Sequence, residues 1–167
     1  MLSVFCSPSR YVQGKNATAA LATEMAKFGW SGKVMIIAGR SAAKLLQETW
    51  QSTLPSSGFA PVIELFKGEC SSDEIARLVA IAEQQKVTVV VGAGGGKVLD
   101  TSRAVAAKLD LPAVNCPTVA SSDAPCSALS VVYHLSGEFD QYFFYKRNPD
   151  LVLVDTTVIA QAPPRLL

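Results

Sequence analysis

The chain has 167 residues, of which 49% are hydrophobic and 17% charged, and a formal net charge of +1. That length suffices for one properly buried core and a single domain. The near-neutral balance, with no basic block, excludes the concentrated Lys and Arg face of a nucleic-acid surface.

Residues 1 to 15 contain Ser7-Pro8-Ser9 and Gly14, which favour an extended lead-in over a helix, with Tyr11 packing against the body of the protein. From Asn16 to Phe28 the apolar positions Ala17, Ala20, Leu21, Met25 and Phe28 recur at helical spacing, and Gly29 follows as a stop. Lys33 to Ala38 is a continuous apolar run and predicts a strand covered on both faces. Ser41 is the expected cap of a helix from Ala42 to about Leu54, which Pro55-Ser56-Ser57-Gly58 ends. Phe59 to Phe66 reads as a second strand. Ser71 or Ser72 then caps a helix to Gln85, with Glu74 in its acidic first turn.

Val87 to Val91 predicts a third strand, which passes through a glycine turn into a helix from Gly96 to about Leu109. Leu111 to Cys116 is a short fourth strand ended by Pro117. This β-α-β-α-β-α-β order predicts a parallel sheet with helices on both faces and ligands beyond the carboxyl ends of the strands. Thr118 to Ser127 is a polar loop at such an end. Leu129 to His134 and Gln141 to Tyr145 predict an antiparallel hairpin about Ser136-Gly137-Glu138, and Leu151 to Val154 is a further apolar strand before a helical turn opened by Asp155-Thr156. Ala162-Pro163-Pro164-Arg165-Leu166-Leu167 has the prolines of a helix start without the helix, as a cut between two domains would leave it.

Cys6, Cys70, Cys116 and Cys126 form no C-x-x-C pair and are accompanied by one histidine, His134, so buried free thiols are expected rather than a zinc ribbon or redox dithiol. Met1 to Arg10 lacks a charged segment followed by an apolar one. No apolar run approaches the ~18 residues of a membrane span. The expectation is a soluble, cytoplasmic protein.

The glycine turn Gly92-Ala93-Gly94-Gly95-Gly96-Lys97 carries most of the chemistry. Bare backbone admits close approach of a ligand, the helix N-terminus favours an anion, and Lys97 adds a charge. The motif is nonetheless neither standard phosphate signature: Lys97 stands where the last glycine of G-x-G-x-x-G belongs, and Val91 where the P-loop needs its first glycine. Phosphate binding and a merely tight turn both remain open on these residues alone, and Asp100 suits either. Asp123, before a proline-containing turn, is a turn former or a ligand contact. His134 is read as structural.

Several stretches resemble one family. They are S-P-S-R-Y-V-Q-G (7–14), F-K-G-E-C-S (66–71), G-A-G-G-G-K-V-L-D-T (92–101), P-T-V-A-S-S-D-A-P-C-S-A-L-S-V (117–131), G-E-F-D (137–140), N-P-D-L-V-L-V-D-T (148–156) and A-P-P-R-L-L (162–167). Together they resemble the glycerol dehydrogenases of the iron-containing, or type III, alcohol dehydrogenase superfamily. The resemblance implies a Rossmann-like α/β domain over residues 1–162, with residues 163–167 beginning a helical metal-binding domain that this chain lacks. It implies NAD-dependent oxidation of glycerol to dihydroxyacetone and a divalent metal (usually zinc). The Leu166-Leu167 end and the apolar face that a second domain would cover predict a homo-oligomer.

Carried over by position, Gly94, Gly95, Gly96 and Lys97 resemble cofactor contacts, with Gly96 and Lys97 at the pyrophosphate. Thr118, Val119, Ala120, Ser121, Ser127, Leu129 and Tyr133 resemble those toward the nicotinamide, and Asp123 the polyol contact. Two departures stand out. Gly39, followed by Arg40, occupies a cofactor position where the family commonly has an aspartate for the adenine ribose, which weakens strict NAD preference and leaves Arg40 and Lys44 to admit NADP. The aspartate and two histidines that hold the metal are also missing, so no catalytic or metal-binding residue is assigned. Nucleotide binding with little turnover is the expectation. A non-catalytic interaction module, or a dehydrogenase of another small alcohol or hydroxy acid, is the alternative.

Overall fold

The computed structural model describes residues 2–3, 5–120 and 123–164. Among these residues five α-helices and eight strands follow one another: β1 (Arg10–Gly14), α1 (Leu21–Ala26), β2 (Gly32–Ala38), α2 (Arg40–Thr53), β3 (Phe59–Leu65), α3 (Ser72–Gln85), β4 (Val87–Gly94), α4 (Gly96–Lys108), β5 (Ala113–Pro117), β6 (Leu129–Tyr133), β7 (Phe139–Phe144), β8 (Leu151–Asp155) and α5 (Thr156–Ala160). Six strands form one parallel sheet in the order β1-β8-β5-β4-β2-β3, and β6 pairs with β7 in a separate antiparallel hairpin.

Strand alternation divides the core into two layers. Val34, Ile36 and Ala38 of β2 pack with α1, α2 and α5 on one face, where Trp50 and Leu46 of α2 are buried. Met35 and Ile37 pack with α3, α4 and the hairpin on the other, against Ile75, Leu78 and Val105. Helices on both faces explain why the inner strands are apolar at successive positions. Pro61 is accommodated because β3 is an edge strand.

Most expected elements are present, with differences at their ends. The lead-in holds a strand: Arg10–Gly14 pairs in parallel with Leu151–Asp155 at the sheet edge. Its burial alternates, and Tyr11 faces outward, 55% exposed, rather than packing. The expected helix from Asn16 is a 3-10 turn (Ala17–Ala20) followed by the short α1, because Asn16 sits at φ +55° and the chain must first turn beneath β8. There the buried Asp155 carboxylate accepts the Thr18 N–H at 3.0 Å and caps α5 through the Thr157 N–H. Ser41 is not the cap of α2; Gly39 holds that position without a side-chain hydrogen bond, and the helix begins at Arg40. Ser71 does cap α3, its hydroxyl accepting the Glu74 N–H at 3.3 Å. No helix among the described residues is long and apolar enough to cross a membrane.

Candidate functional site

β2 and β4 are neighbours in the sheet, yet α2 leaves β2 toward one face and α4 leaves β4 toward the other. Such a divergence opens a crevice at the carboxyl edge. A cavity of about 1070 Å³ lies there, and the expected residues Gly39, Gly94, Gly95, Thr118 and Val119 all line it. The strand ends are stitched together by the Gly39 N–H donating to the Ala93 carbonyl at 3.0 Å and the Thr118 N–H to the Gly94 carbonyl at 3.1 Å. Phe66, Lys67, Gln161 and Pro163 line the cavity too. The sequence assigns none of them to the site, because they come from the β3 end and the segment after α5, which only the sheet order brings near.

The glycines divide into two kinds. A Cβ at Gly92 would lie 2.1 Å from the Ser102 hydroxyl oxygen, and one at Gly94 would lie 2.7 Å from a Val98 methyl. These two glycines extend β4 to Gly94 and let α4 press directly on the strand, which gives both a packing role, while Gly94 also lines the cavity. At Gly95 and Gly96 a Cβ would instead make ordinary 3.8 Å contacts with Val119 and Ala124, across the mouth of the loop that follows β5. Gly95 caps α4 with no side-chain hydrogen bond, and no acidic residue stands in the first turn, so its N–H groups keep the positive end of the helix.

The loop after β5 is suspended by three side chains that hold successive carbonyls. The Arg103 guanidinium, from α4, donates to the Ala124 carbonyl, and also to that of Leu129 at 2.6 Å. Asn115, from β5, donates to the Pro125 carbonyl at 2.9 Å, and Asn148, before β8, to that of Cys126 at 2.7 Å. Arg103 is held in turn by an ion pair with Asp100, 3% and 13% exposed respectively. Asp100 also accepts the Val131 N–H at 3.1 Å, and its carbonyl accepts the Ser130 hydroxyl at 2.8 Å. Burial raises the Asp100 carboxyl above the usual carboxylate range although Arg103 opposes it, and burial likewise lowers Arg103. Asp100 is therefore neither a phosphate contact nor a simple helix-end charge. It docks the hairpin and the loop onto α4. The available signal is a charge pair three residues apart in the otherwise uncharged middle of the helix.

This suspension places Asp123 on the exposed side of the loop. Its main-chain carbonyl accepts the Cys126 and Ser127 N–H groups at 2.9 and 3.2 Å, which is the turn-forming role. Its carboxylate has no hydrogen-bond donor among the described residues and is available to a ligand. Ala120 is exposed and Ser127 half-buried on the same loop, while Ser121 lies outside the described residues. Leu129 opens β6. Tyr133 lies farther along the hairpin with Lys97 over its ring, 5.2 Å from the centroid. Lys97 pairs with Glu69 at 2.6 Å and does not line the cavity.

His134 is exposed, its Nε2 3.8 Å from Asp140, and plays no part in the core. Cys6 is exposed, against the expectation of buried thiols, because it lies ahead of β1; Cys126 is intermediate. Burial pushes the Cys70 thiol up to about 11 and that of Cys116 up to about 12, which leaves both inert. Among the described residues no group of three or more His, Cys, Asp or Glu side chains is placed to hold a metal ion, so a metal has no ligand set there.

Comparison with known proteins adds a family to this geometry. The family model for iron-containing alcohol dehydrogenase matches residues 8–156. Over all 167 residues the chain is 47% identical to a glycerol dehydrogenase of Thermotoga maritima and 42% identical to a glycolaldehyde reductase of Halobacterium salinarum, spanning 45% of each. The crystal structure of a probable glycerol dehydrogenase from Sinorhizobium meliloti superposes with a TM-score of 0.90 at 33% identity, covering 99% of this chain and 44% of that one. The chain thus spans less than half the length of these relatives. It belongs to the iron-containing alcohol dehydrogenase family.

Proposed function

We propose that residues 1–162 are the cofactor-binding domain of an NAD-dependent polyol dehydrogenase acting on glycerol, and that residues 163–167 begin a second domain. The observation that carries this is the cavity where β2 and β4 part, lined by Gly39, Gly94, Gly95, Thr118 and Val119. Its volume is in the range of small-molecule and cofactor sites. The bare Gly95-Gly96 backbone and the start of α4, which has no side-chain cap and no acidic residue in its first turn, suit a pyrophosphate. Bound nicotinamide would supply a hydride acceptor. Thr118 and Val119, on the cavity wall, would orient it, with Ala120, Ser121, Ser127, Leu129 and Tyr133 assigned by resemblance alone. Asp123 would accept a hydrogen bond from a substrate hydroxyl.

Hydride abstraction from an alcohol is helped by a cation that stabilises the alkoxide. The described residues hold no metal ligand set, so the 167-residue chain should bind nucleotide without oxidising glycerol. Titration calorimetry with NAD and with NADH should show saturable binding at one site per chain, and absence of binding would overturn the reading. The likeness to a glycolaldehyde reductase favours a second reading of the same site, in which the substrate is another small hydroxy compound. The reading also includes a cytoplasmic protein that assembles as a homo-oligomer and takes no nucleic-acid partner; light scattering tests the assembly.

A further inference from the structure

The charges on the cavity wall carry a further inference, which rests on the nucleotide reading. Arg40, Lys44 and Lys67 line the cavity, and no Asp or Glu joins them among the described residues. All three are exposed, and none has an ion-pair partner among the described residues. Nearby cations differ. Lys97 is held by Glu69, and Arg77 by Glu64 and Glu74, so their charges are already matched within the protein. Those facing the cavity are left for a ligand.

The carboxyl end of β2 repeats the pattern. Gly39 offers no side chain, and its N–H is engaged by the Ala93 carbonyl. The first turn of α2 contains no acidic residue and has no side-chain cap. In dinucleotide sites an acidic residue at such a strand end accepts the ribose hydroxyls and repels a 2′-phosphate, whereas an arginine accommodates it. A ribose diol would find no acceptor carboxylate here. A 2′-phosphate, carrying about −1.5 to −2 charges near neutral pH, would find cations and a helix N-terminus instead. The pyrophosphate is served separately by Gly95, Gly96 and the start of α4.

We propose that the cavity takes a 2′-phosphorylated dinucleotide, NADP, at least as tightly as NAD, with Arg40 as the main contact and Lys44 and Lys67 supporting it. Arginine suits this role because its planar fork meets a phosphate with two donors at once, while lysine acts as a point charge.

The test is parallel calorimetric titration of the chain with NADP, NAD, 2′,5′-ADP and 5′-AMP. NADP should bind at least as tightly as NAD, and 2′,5′-ADP more tightly than 5′-AMP. Arg40→Ala should reduce the NADP-to-NAD affinity ratio by about tenfold, the effect of one charge-assisted contact. Gly39→Asp should turn the preference toward NAD. Added salt should weaken NADP more steeply than NAD. Arg40 and Gly39 lie on the cavity surface, and circular dichroism of both variants checks that they are folded. Binding of NAD measurably tighter than NADP would overturn this inference and leave the nucleotide reading standing. Binding of none of the four ligands would overturn both. Equal ratios in Arg40→Ala and the parent would overturn the assignment of the 2′-phosphate to this wall.

Discussion

The two helix layers grip the sheet in different ways. On the α2 side, Ala42, Ala43, Leu46 and Trp50 bury an apolar stripe against Val34, Ile36 and Val91, a contact of surfaces that any well-shaped hydrophobic set maintains. On the α4 side the helix lies against a strand stripped of side chains at Gly92 and Gly94, and it carries the buried Asp100–Arg103 pair. That pair reaches past α4 to hold the hairpin and the loop bearing Asp123. Apolar packing is non-directional and stabilises. Buried hydrogen-bonded charge is directional and fixes position, at a desolvation cost. The layer that positions the loop bearing Asp123 is thus the one built from directional contacts, while the cavity itself draws its lining from both.

The largest effects should come from deleting the centre of each layer. Arg103→Ala would leave Asp100 buried without its cation and should cost about 3–5 kcal/mol. Trp50→Ala, in the apolar layer, should cost a similar ~3–5 kcal/mol through transfer and cavity terms. Urea denaturation at several pH values would separate them. Burial already raises the Asp100 carboxyl, so the folded state favours its protonated form. The penalty in Arg103→Ala should therefore be full near pH ~7 and shrink as pH falls toward ~4, where Asp100 can neutralise. The penalty in Trp50→Ala should not follow that slope. Identical pH behaviour of the two variants would erase the distinction between the layers.

Next in size are the glycines. Gly92→Ala should cost about 1–3 kcal/mol, since its Cβ would have to displace Ser102 and with it α4. Gly95→Ala meets only ordinary contacts and should cost less than about 1 kcal/mol, while weakening nucleotide binding at the cavity mouth. Thermal melts paired with NAD titration test this, and a larger melting shift for Gly95→Ala would reverse the division of roles. Asn148→Ala should cost about 1 kcal/mol by releasing the Cys126 carbonyl. It should also weaken NAD more than ADP-ribose, because the loop is assigned to the nicotinamide half; equal losses would refute that assignment. The smallest stability change belongs to Lys97→Ala, below about 1 kcal/mol for an exposed pair with Glu69. Its NAD affinity decides the assigned pyrophosphate contact, which an unchanged value would remove.

Much of this arrangement was legible in the chain. Continuous apolar runs marked β2, β4 and β8, Ser71 marked the start of α3, and Gly137 marked the hairpin turn. Each is a local signal, set by side-chain period or by a cap within a few residues. Gly39, Gly94, Gly95, Thr118 and Val119 were picked out and meet at one cavity. Strand β1 escaped notice because its alternating, half-exposed pattern is completed only by β8, far along the chain. Arg103 escaped because a lysine or arginine within a helix ordinarily faces water.

The sequence by itself determined the succession of strands and helices, the hairpin and the anion-favouring start of α4, because hydrophobic period, capping and glycine act over a few residues. Only the tertiary structure decided that β2 and β4 lie side by side, that Gly92 and Gly94 admit α4 while a Cβ at Gly95 or Gly96 would meet only ordinary contacts, and that Lys67 joins Arg40 and Lys44 on a cavity wall with no acidic residue among those described. The same holds for the suspended loop, whose carbonyls are gripped from residues 21, 10 and 22 positions away. Those contacts arise from sheet order and helix placement, which no local pattern encodes.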